Sequence, residues 1–219
     1  MRNKIGLFLA TGVALASIAG SAAAAITVSN SVYETYAGDL LTFAQSNVVC
    51  DFSSPVCLSG YSFAFAGGTP TASGIFTTSI AGVTADPPGD TTPYASIEGP
   101  NGVGTLTLSV PTNSISFFMG SPDTYNSISF LNGASTIATF AGSAFTGPPA
   151  NGDQPLGERI TFNFGGAAVT SVQFTSSQNA FEFDRIGVVQ EPETWALMIM
   201  GFGGVGALVR SCRRQAATA

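Results

Sequence analysis

Apolar and polar residues alternate in short runs along most of this 219-residue chain, and no other feature limits the possible folds as strongly. Because successive side chains of a β-strand point to opposite faces, a period of two predicts strands with one buried face. The clear runs are residues 61–66, 105–110, 114–118, 127–131, 136–140, 159–164, 171–174 and 180–186. Weaker candidates are residues 26–28, 40–43, 75–80 and 94–97.

Turn residues separate these runs, and no segment of the body has convincing helical periodicity. Asn132 and Gly133 give the clearest hairpin signal, which predicts a type I′ turn with positive φ at both central residues. Ten to twelve short strands in residues 26–189 predict an all-β, antiparallel two-sheet β-sandwich, most similar to a jelly roll. Fifteen of the chain's 17 phenylalanines lie in this body and are expected to supply its core.

Charged residues are scarce and unevenly placed, which excludes several classes of function. The chain has no histidine, so it cannot contain a Ser-His-Asp site, a histidine general base or a His-ligated zinc. Residues 26–190 carry eleven acids and two bases, Arg159 and Arg185, a net charge of −9. Such a body repels phosphate backbones, so no nucleic-acid partner is expected.

Two acids near the end of the body have a spacing that a glycosidase could use. Glu182 and Asp184 are two residues apart on a predicted strand, about 6.5–7 Å, within the range of glycosidase carboxylate pairs. The alternation with Phe181 and Phe183 places both acids on the outer face, which is normally solvated. The sequence therefore predicts that the protein is not an enzyme.

The first 25 residues have the layout of a secretory signal peptide. Arg2 and Lys4 precede an apolar stretch over residues 5–18. Small residues follow in the A-x-A pattern that signal peptidase cleaves, with the cleavage region at Ala22, Ala24 and Ala25. This predicts export through the Sec translocon and processing by signal peptidase.

The C-terminal region predicts a single short transmembrane helix over residues 195–209. Fifteen residues at 1.5 Å each span about 22 Å, which is short for a hydrocarbon core of about 30 Å. The arginines that follow place the C-terminal side in the cytoplasm and the body outside. Residues 215–219 are expected to be a disordered tail.

Residues 190–214 also carry a motif in a fixed order. Glu191 and Pro192 precede Trp195 and Ala196, and then come a glycine-rich apolar segment and a basic end. This order resembles the PEP-CTERM sorting signal in its PEPxxWA variant, with the motif at 190–194 and the basic tail at 210–214. Gln190 occupies the first proline position, and Ser211 and Cys212 interrupt the basic run. The matching residues are Glu191, Pro192, Trp195, Ala196, Gly201, Gly203, Arg210, Arg213 and Arg214.

The resemblance implies a processing route and a location. In that family of Gram-negative surface proteins, an integral-membrane exosortase recognises the tail, cleaves near the motif and releases or attaches the ectodomain, typically alongside exopolysaccharide production. The implied precursor is held transiently in the inner membrane, and the mature protein reaches the cell surface or extracellular matrix. Exosortase is thus an expected partner, and exopolysaccharide is a second one.

The body carries a second, broader resemblance. Residues 120–130, 150–154 and 176–184, with 60–63 and 92–94, are similar to recurrent blocks of an exosortase-dependent surface-protein family with the same tail. That family has no established catalytic activity, so the resemblance implies a localisation and a domain type only. It favours a structural or interaction role in biofilm or matrix.

Two cysteines of the body are close in sequence. Cys50 and Cys57 lie in a segment that is predicted to be exported, and oxidising compartments favour disulfides. A Cys50–Cys57 disulfide is therefore expected. Cys212 lies on the predicted cytoplasmic side.

Two binding functions remain open from the residues alone. A carbohydrate-binding module would use exposed aromatic rings, for which Tyr61, Tyr94 and Tyr125 are candidates. No cofactor is required, but a structural calcium ion could be bound by loop carboxylates. Its candidate ligands are Asp123, Asp153 and Asp184.

Overall fold

Two antiparallel β-sheets form the body of the protein. The structure is a computed structural model and describes residues 25–30, 33–53, 56–120, 122–145 and 156–188. The seven-stranded sheet contains β1 (Thr27–Asn30), β2 (Val48–Cys50), β4 (Gly74–Phe76), β5 (Tyr94–Ile97), β7 (Ser114–Met119), β10 (Glu158–Asn163) and β12 (Phe181–Gly187). The five-stranded sheet contains β3 (Tyr61–Ala66), β6 (Gly102–Leu108), β8 (Asn126–Asn132), β9 (Ser135–Ala141) and β11 (Ser171–Ser176).

The strand order confirms an all-β architecture of two antiparallel sheets. The larger sheet runs β1-β10-β7-β12-β5-β4, with β2 paired to β12, and the smaller runs β3-β6-β11-β8-β9. All eight clear alternating segments coincide with observed strands. The predicted signal peptide and C-terminal helix lie outside the described residues. Within the described ranges, no helix is long and apolar enough to cross a membrane.

Phenylalanine rings fill the space between the sheets. Phe174 of β11 stacks on Phe183 of β12 with ring centroids 4.4 Å apart, and Phe130 of β8 lies 4.9 Å from Phe162 of β10. All four rings are fully buried. Aromatic pairs at these distances add about 0.5–1.5 kcal/mol each beyond the area they bury. The expected phenylalanine core is confirmed.

The strand predicted at residues 40–43 is wrong, because a helix, α1 (Tyr36–Thr42), occupies this segment. The Thr35 side chain caps α1 by accepting a hydrogen bond from the Gly38 backbone N–H at 3.1 Å. Tyr36 and Asp39 face the protein, whereas Leu41 is 89% exposed. Leu40 and Leu41 thus lie on the outer side of a short helix, whereas Phe43, which follows the helix, is buried.

Three smaller expectations also need correction. The β8–β9 hairpin forms as predicted, but Asn132 pairs with Ser135, so Gly133 and Ala134 make the turn. Only Gly133 has positive φ, at 56°, which excludes the predicted type I′ turn. The strand expected at 75–80 ends at Phe76. The alternation of apolar and polar residues does not predict β2, because all three of its residues are buried.

A third layer covers the outer face of the seven-stranded sheet. Every residue of β7 is buried, and so is every residue of β5, although alternate side chains of a strand point to opposite faces. The contacts described below place α1 and residues 77–93 against that outer face. We call these two segments the covering layer, and the polar groups beneath it form the candidate site.

Candidate functional site

The covering layer encloses an unusual amount of charge. Asp39, Asp90, Arg159, Asp184 and Arg185 are all at most 5% exposed. Burying a charge is costly unless the charge is paired and hydrogen-bonded. The five groups divide into an ion cluster (Asp39, Arg159, Arg185) and an aspartate pair (Asp90, Asp184).

Asp39 lies between the two arginines of the ion cluster. Its Oδ1 accepts from Nε of Arg159 at 2.6 Å, and its Oδ2 accepts from Nη2 of Arg159 at 2.7 Å and from Nε of Arg185 at 2.9 Å. The Arg159 contact is thus bidentate, the strongest geometry for a guanidinium and a carboxylate. The carboxylate of Asp39 therefore forms ion pairs with both of the bases in residues 26–190.

Neutral groups accept further hydrogen bonds from both guanidinium groups. Nη1 of Arg159 donates to Ser116 Oγ and to the Arg185 carbonyl, both at 3.1 Å, and the guanidinium lies 3.7 Å from the centre of the Phe43 ring. Arg185 donates to Gln45 Oε1 and, at 3.0 Å, to the Phe43 carbonyl. Burial lowers the pKa of Arg159, and Asp39 opposes that effect.

A β-bulge brings two consecutive charged residues into the covering layer. The register of β12 shifts between Asp184 and Gly187, and Arg185 has a positive φ of 52°. Asp184 and Arg185 consequently both contact the covering layer, while Ile186 belongs to the core. A non-glycine residue with positive φ is uncommon, and bulges of this kind redirect side chains.

The aspartate pair lies beside the ion cluster, with Tyr36 and Thr92 as its donors. Asp184 Oδ2 accepts from Tyr36 Oη at 3.0 Å and from Thr92 Oγ1 at 3.2 Å. Asp90 Oδ1 accepts from the Thr92 backbone N–H at 2.8 Å and from Thr92 Oγ1 at 2.6 Å. Thr92 Oγ1 thus lies within hydrogen-bonding distance of both carboxyl groups, which makes them close neighbours. One threonine therefore joins the carboxyl groups of two distant segments.

Burial and mutual repulsion alter the titration of this site. Burial, and then the charge of Asp90, raise the pKa of Asp184 to about 7. Burial also raises the pKa of Asp90 above its ordinary value. Burial and the neighbouring Asp184 raise the pKa of the Tyr36 phenol, which keeps it protonated as a donor.

The sequence prediction that Asp184 faces solvent is wrong. Its side chain is fully buried, because Tyr36 of α1 and Thr92 of the covering layer close over this face of β12. Glu182 is half-buried, and its Oε1 accepts from the Ala85 backbone N–H at 2.8 Å. Burial raises the pKa of Glu182 to about 7. The two carboxyl groups do not form an open pair that could approach a sugar polymer.

The three candidate tyrosines do not form an exposed aromatic platform. Tyr94 is fully buried and donates to the Thr78 carbonyl at 3.1 Å. Tyr61 and Tyr125 are half-buried, and Tyr125 donates to the Asn179 carbonyl at 3.0 Å. The exposure that sugar stacking requires is therefore absent at Tyr94 and limited at the other two residues.

The calcium candidates are not brought together. Asp123 is a half-buried residue before β8, Asp184 is enclosed under the covering layer, and Asp153 lies outside the described residues. In the part of the chain that the structure describes, no three His, Cys, Asp or Glu side chains are grouped closely enough to hold a metal ion. The structure thus provides no shared site for Asp123 and Asp184.

The expected disulfide is present between Cys50 at the end of β2 and Cys57. Backbone hydrogen bonds flank it, from Asp51 N to Val56 O at 3.0 Å and from Leu58 N to Val49 O at 2.8 Å. The predicted cleavage region at Ala22 and Ala24 and the whole sorting signal lie outside the described residues. Ala25 is the first residue that the structure describes.

The fold and the site define a class, a disulfide-bonded β-sandwich with a buried ionic layer on one outer face. Neither sequence alternation nor motif spacing indicates this layer, since its groups come from segments more than 100 residues apart, such as Asp39 and Arg159. No protein-family model, curated protein or solved structure matches this chain.

Proposed function

We propose that this chain is an exported surface or exopolysaccharide-matrix protein of a Gram-negative bacterium, processed at its C-terminus by an exosortase. Its role is structural or interactive and not catalytic. The order of features in residues 190–214 carries the proposal: the motif with Glu191 and Pro192, Trp195 and Ala196, the apolar segment and the basic end. The resemblance of this order to the PEP-CTERM signal is specific because all four features occur together.

Two properties of the body support export. The Cys50–Cys57 disulfide suits an oxidising compartment outside the cytoplasm. The two bases of residues 26–190, Arg159 and Arg185, are buried in the ion cluster, so the described surface carries no exposed cation. A wholly acidic exterior favours solubility and repels nucleic acids and anionic lipids.

The proposal includes a jelly-roll form of the sandwich. Eight strands support it, in the orders β5-β12-β7-β10 and β6-β11-β8-β9 within the two sheets. From β5 to β12 the chain changes sheet at every step except the β8–β9 hairpin and so winds around the core as a pair of Greek keys does. A carbohydrate-binding module was the alternative, but the burial of Tyr94 and the partial burial of Tyr61 and Tyr125 give it no support.

The test follows the mature C-terminus of the full chain in a host with and without an exosortase. Intact mass and C-terminal peptides are measured for the unmodified protein, Pro192→Ala and a deletion of residues 210–214. We expect the tail to be lost only from the unmodified protein and only with the exosortase. Thr218→Ala, beyond the basic tail, is the matched control and should be processed normally. An identical mature C-terminus in all strains would overturn the proposal.

A further inference from the structure

Two carboxyl oxygens under the covering layer accept no hydrogen bond of normal geometry, although the backbone N–H of Arg185 lies close to the Asp184 carboxyl group. They are Asp90 Oδ2 and Asp184 Oδ1, and both atoms are shielded from solvent. The other oxygen of Asp90 accepts from Thr92, and the other oxygen of Asp184 accepts from Tyr36. Thr92 Oγ1 also lies 3.2 Å from Asp184 Oδ2, but its single hydroxyl proton is shared with Asp90 Oδ1 at 2.6 Å. Since buried acceptors are almost always hydrogen-bonded, the missing donor at these two neighbouring carboxyl groups requires an explanation.

The charges around the pair indicate what is missing. The five enclosed groups are the cations Arg159 and Arg185 and the carboxyl groups of Asp39, Asp90 and Asp184, which leaves one excess negative charge if all are ionised. Half-buried Glu34 adds a further negative charge near Arg159. An uncompensated charge at such depth is strongly unfavourable. One proton on the pair would make the five enclosed groups neutral and would supply the donor that both orphan oxygens lack.

We propose that Asp90 and Asp184 share one proton between Asp90 Oδ2 and Asp184 Oδ1, and that this proton is a pH-sensitive latch holding the covering layer on β12. Asp90 and Thr92 belong to residues 77–93, Tyr36 belongs to α1, and Asp184 belongs to β12. All three elements meet at the aspartate pair. Loss of the proton would leave two neighbouring carboxylates that repel each other without a bridging donor.

The groups that face the pair define the pH range in which the latch acts. Asp86 of the covering layer and Asp51 after β2 add negative charge nearby, which favours retention of the proton. On the other side, the guanidinium of Arg185 lies 6.0 Å from the Tyr36 ring and is held by Asp39. Glu182 precedes Asp184 on β12 and titrates separately, so it contributes its own pH dependence. The latch is predicted to release as the pH rises above neutral.

Release would loosen specific segments, and this makes it measurable. Residues 84–92 would detach from the outer face of the seven-stranded sheet, whereas the ion cluster would still hold α1 and the phenylalanine core between the sheets would stay intact. After correction for the intrinsic exchange rates, hydrogen exchange should therefore show protection in residues 84–92 at about pH 6 that is lost at about pH 9. The inference is independent of the proposed function.

The decisive variant is Asp90→Asn. The amide can donate permanently to Asp184 Oδ1, and it carries the same net charge as the protonated pair. The melting temperature of the full chain is measured between about pH 6 and pH 9 with a metal chelator present. We expect the unmodified protein to lose much of its thermal stability over this range, and Asp90→Asn to lose about half as much or less. Asp184→Asn should behave similarly. Asp51→Asn, which retains an oxygen for the Ser53 backbone N–H, is the matched control. It removes one nearby negative charge but not the shared proton, so it should keep most of the slope.

Several outcomes would overturn the latch. An unchanged pH slope in both Asp90→Asn and Asp184→Asn would do so, as would an equal loss of slope in Asp51→Asn. If calcium restores the thermal stability of the unmodified protein at about pH 9 but not that of Asp90→Asn, the pair is a cation site and not a latch. If the variants at the pair fail to fold, infrared spectra of Glu182→Gln decide, because this variant lacks the other acid that titrates near pH 7. A protonated-carboxyl C=O band that is present at about pH 6 and lost by about pH 9 supports the latch, and its absence at both values rejects it.

Discussion

Asp39 is a single carboxylate that neutralises two guanidinium groups, and no other residue has a comparable effect on the buried charge. Both of its oxygens are engaged at 2.6–2.9 Å by Arg159 and Arg185. Because the arginines approach from β10 and β12, Asp39 also fastens α1 to the seven-stranded sheet. Its importance rests on this enclosure, since exposed ion pairs contribute at most about 1 kcal/mol.

Asp39→Asn should destabilise the fold strongly. The amide removes the negative charge and leaves Arg159 and Arg185 buried side by side without a counter-ion. Breaking a buried ion pair in this way typically costs about 3–5 kcal/mol. Urea denaturation at neutral pH measures the loss.

Asp51→Asn is the control for Asp39→Asn, because it makes the same substitution at a residue outside the ion cluster. Asp51 lies on a half-buried loop and accepts from the Ser53 backbone N–H at 3.2 Å, a bond that asparagine can keep. We expect a change within about 0.5 kcal/mol. Equal losses for Asp39→Asn and Asp51→Asn would contradict the structural role of the ion cluster.

At the scale of elements, the alternation of apolar and polar residues predicted the strands well but did not show which strand faces are covered by other segments. The eight clear runs are strands because a period of two reflects the geometry of the strand itself. The same pattern at Glu182 and Asp184 indicates an outer face but cannot show that α1 and residues 77–93 cover it. The helix α1 has seven residues, too few for propensity alone to stabilise it, so its position depends on the burial of Tyr36 and Asp39.

The candidate site divides in the same way. Cys50 and Cys57 could be paired from the sequence, because the segment between them is short and the predicted compartment is oxidising. The ion cluster could not be found, since Asp39 and Arg159 are 120 residues apart. The β-bulge at Arg185 was also hidden, because a positive φ at arginine has no compositional signal.

Packing between strands gives a matched pair of glycine predictions. A Cβ on Gly104 of β6 would lie 2.6 Å from Ile97 Cδ1 and 2.7 Å from Phe63 Cζ, whereas a Cβ on Gly74 of β4 would meet nothing within 4 Å. Gly104→Ala should therefore overpack the core and cost about 1–3 kcal/mol. Gly74→Ala should be neutral or stabilising by up to about 1 kcal/mol, since alanine restricts the unfolded chain.

Thermal and urea unfolding of the two variants test this difference. Both glycines lie in strands and neither has a positive φ, so backbone strain does not confound the comparison. Gly104→Ala as stable as Gly74→Ala would show that Ile97 and Phe63 can move aside at no cost.

On the scale of the whole molecule, charge is segregated by depth. The sequence shows that residues 26–190 have a net charge of −9, but not that both bases lie inside. Since Arg159 and Arg185 are enclosed, the described exterior is anionic without any compensating cation. Such a surface will not bind an anionic polysaccharide directly, so the proposed matrix role requires a partner that is neutral, cationic or bridged by cations.

The whole molecule should be more stable in mild acid than in mild alkali. The pKa values of Glu182 and Asp184 are raised to about 7 in the folded state, whereas unfolded carboxyl groups titrate near 4. Between these values the folded chain binds more protons than the unfolded chain, so the free energy of unfolding falls as the pH rises. Each tenfold difference in proton affinity between the two states is worth about 1.4 kcal/mol.

Urea denaturation at intervals from about pH 5 to pH 8 measures how the free energy of unfolding changes with pH. Variants show how much of this change comes from the aspartate pair and how much from Glu182. Asp90→Asn removes the repulsion within the aspartate pair and so reduces its contribution, and the slope that remains should fall further when Glu182→Gln is added. Glutamine keeps an oxygen for the Ala85 backbone N–H, so the hydrogen bond at 2.8 Å is preserved while the titration is lost. A free energy of unfolding that rises from about pH 5 to pH 8 would contradict the burial of these acids. Such a rise is typical of carboxylates that cations stabilise, because their pKa is lowered in the folded state and the slope has the opposite sign.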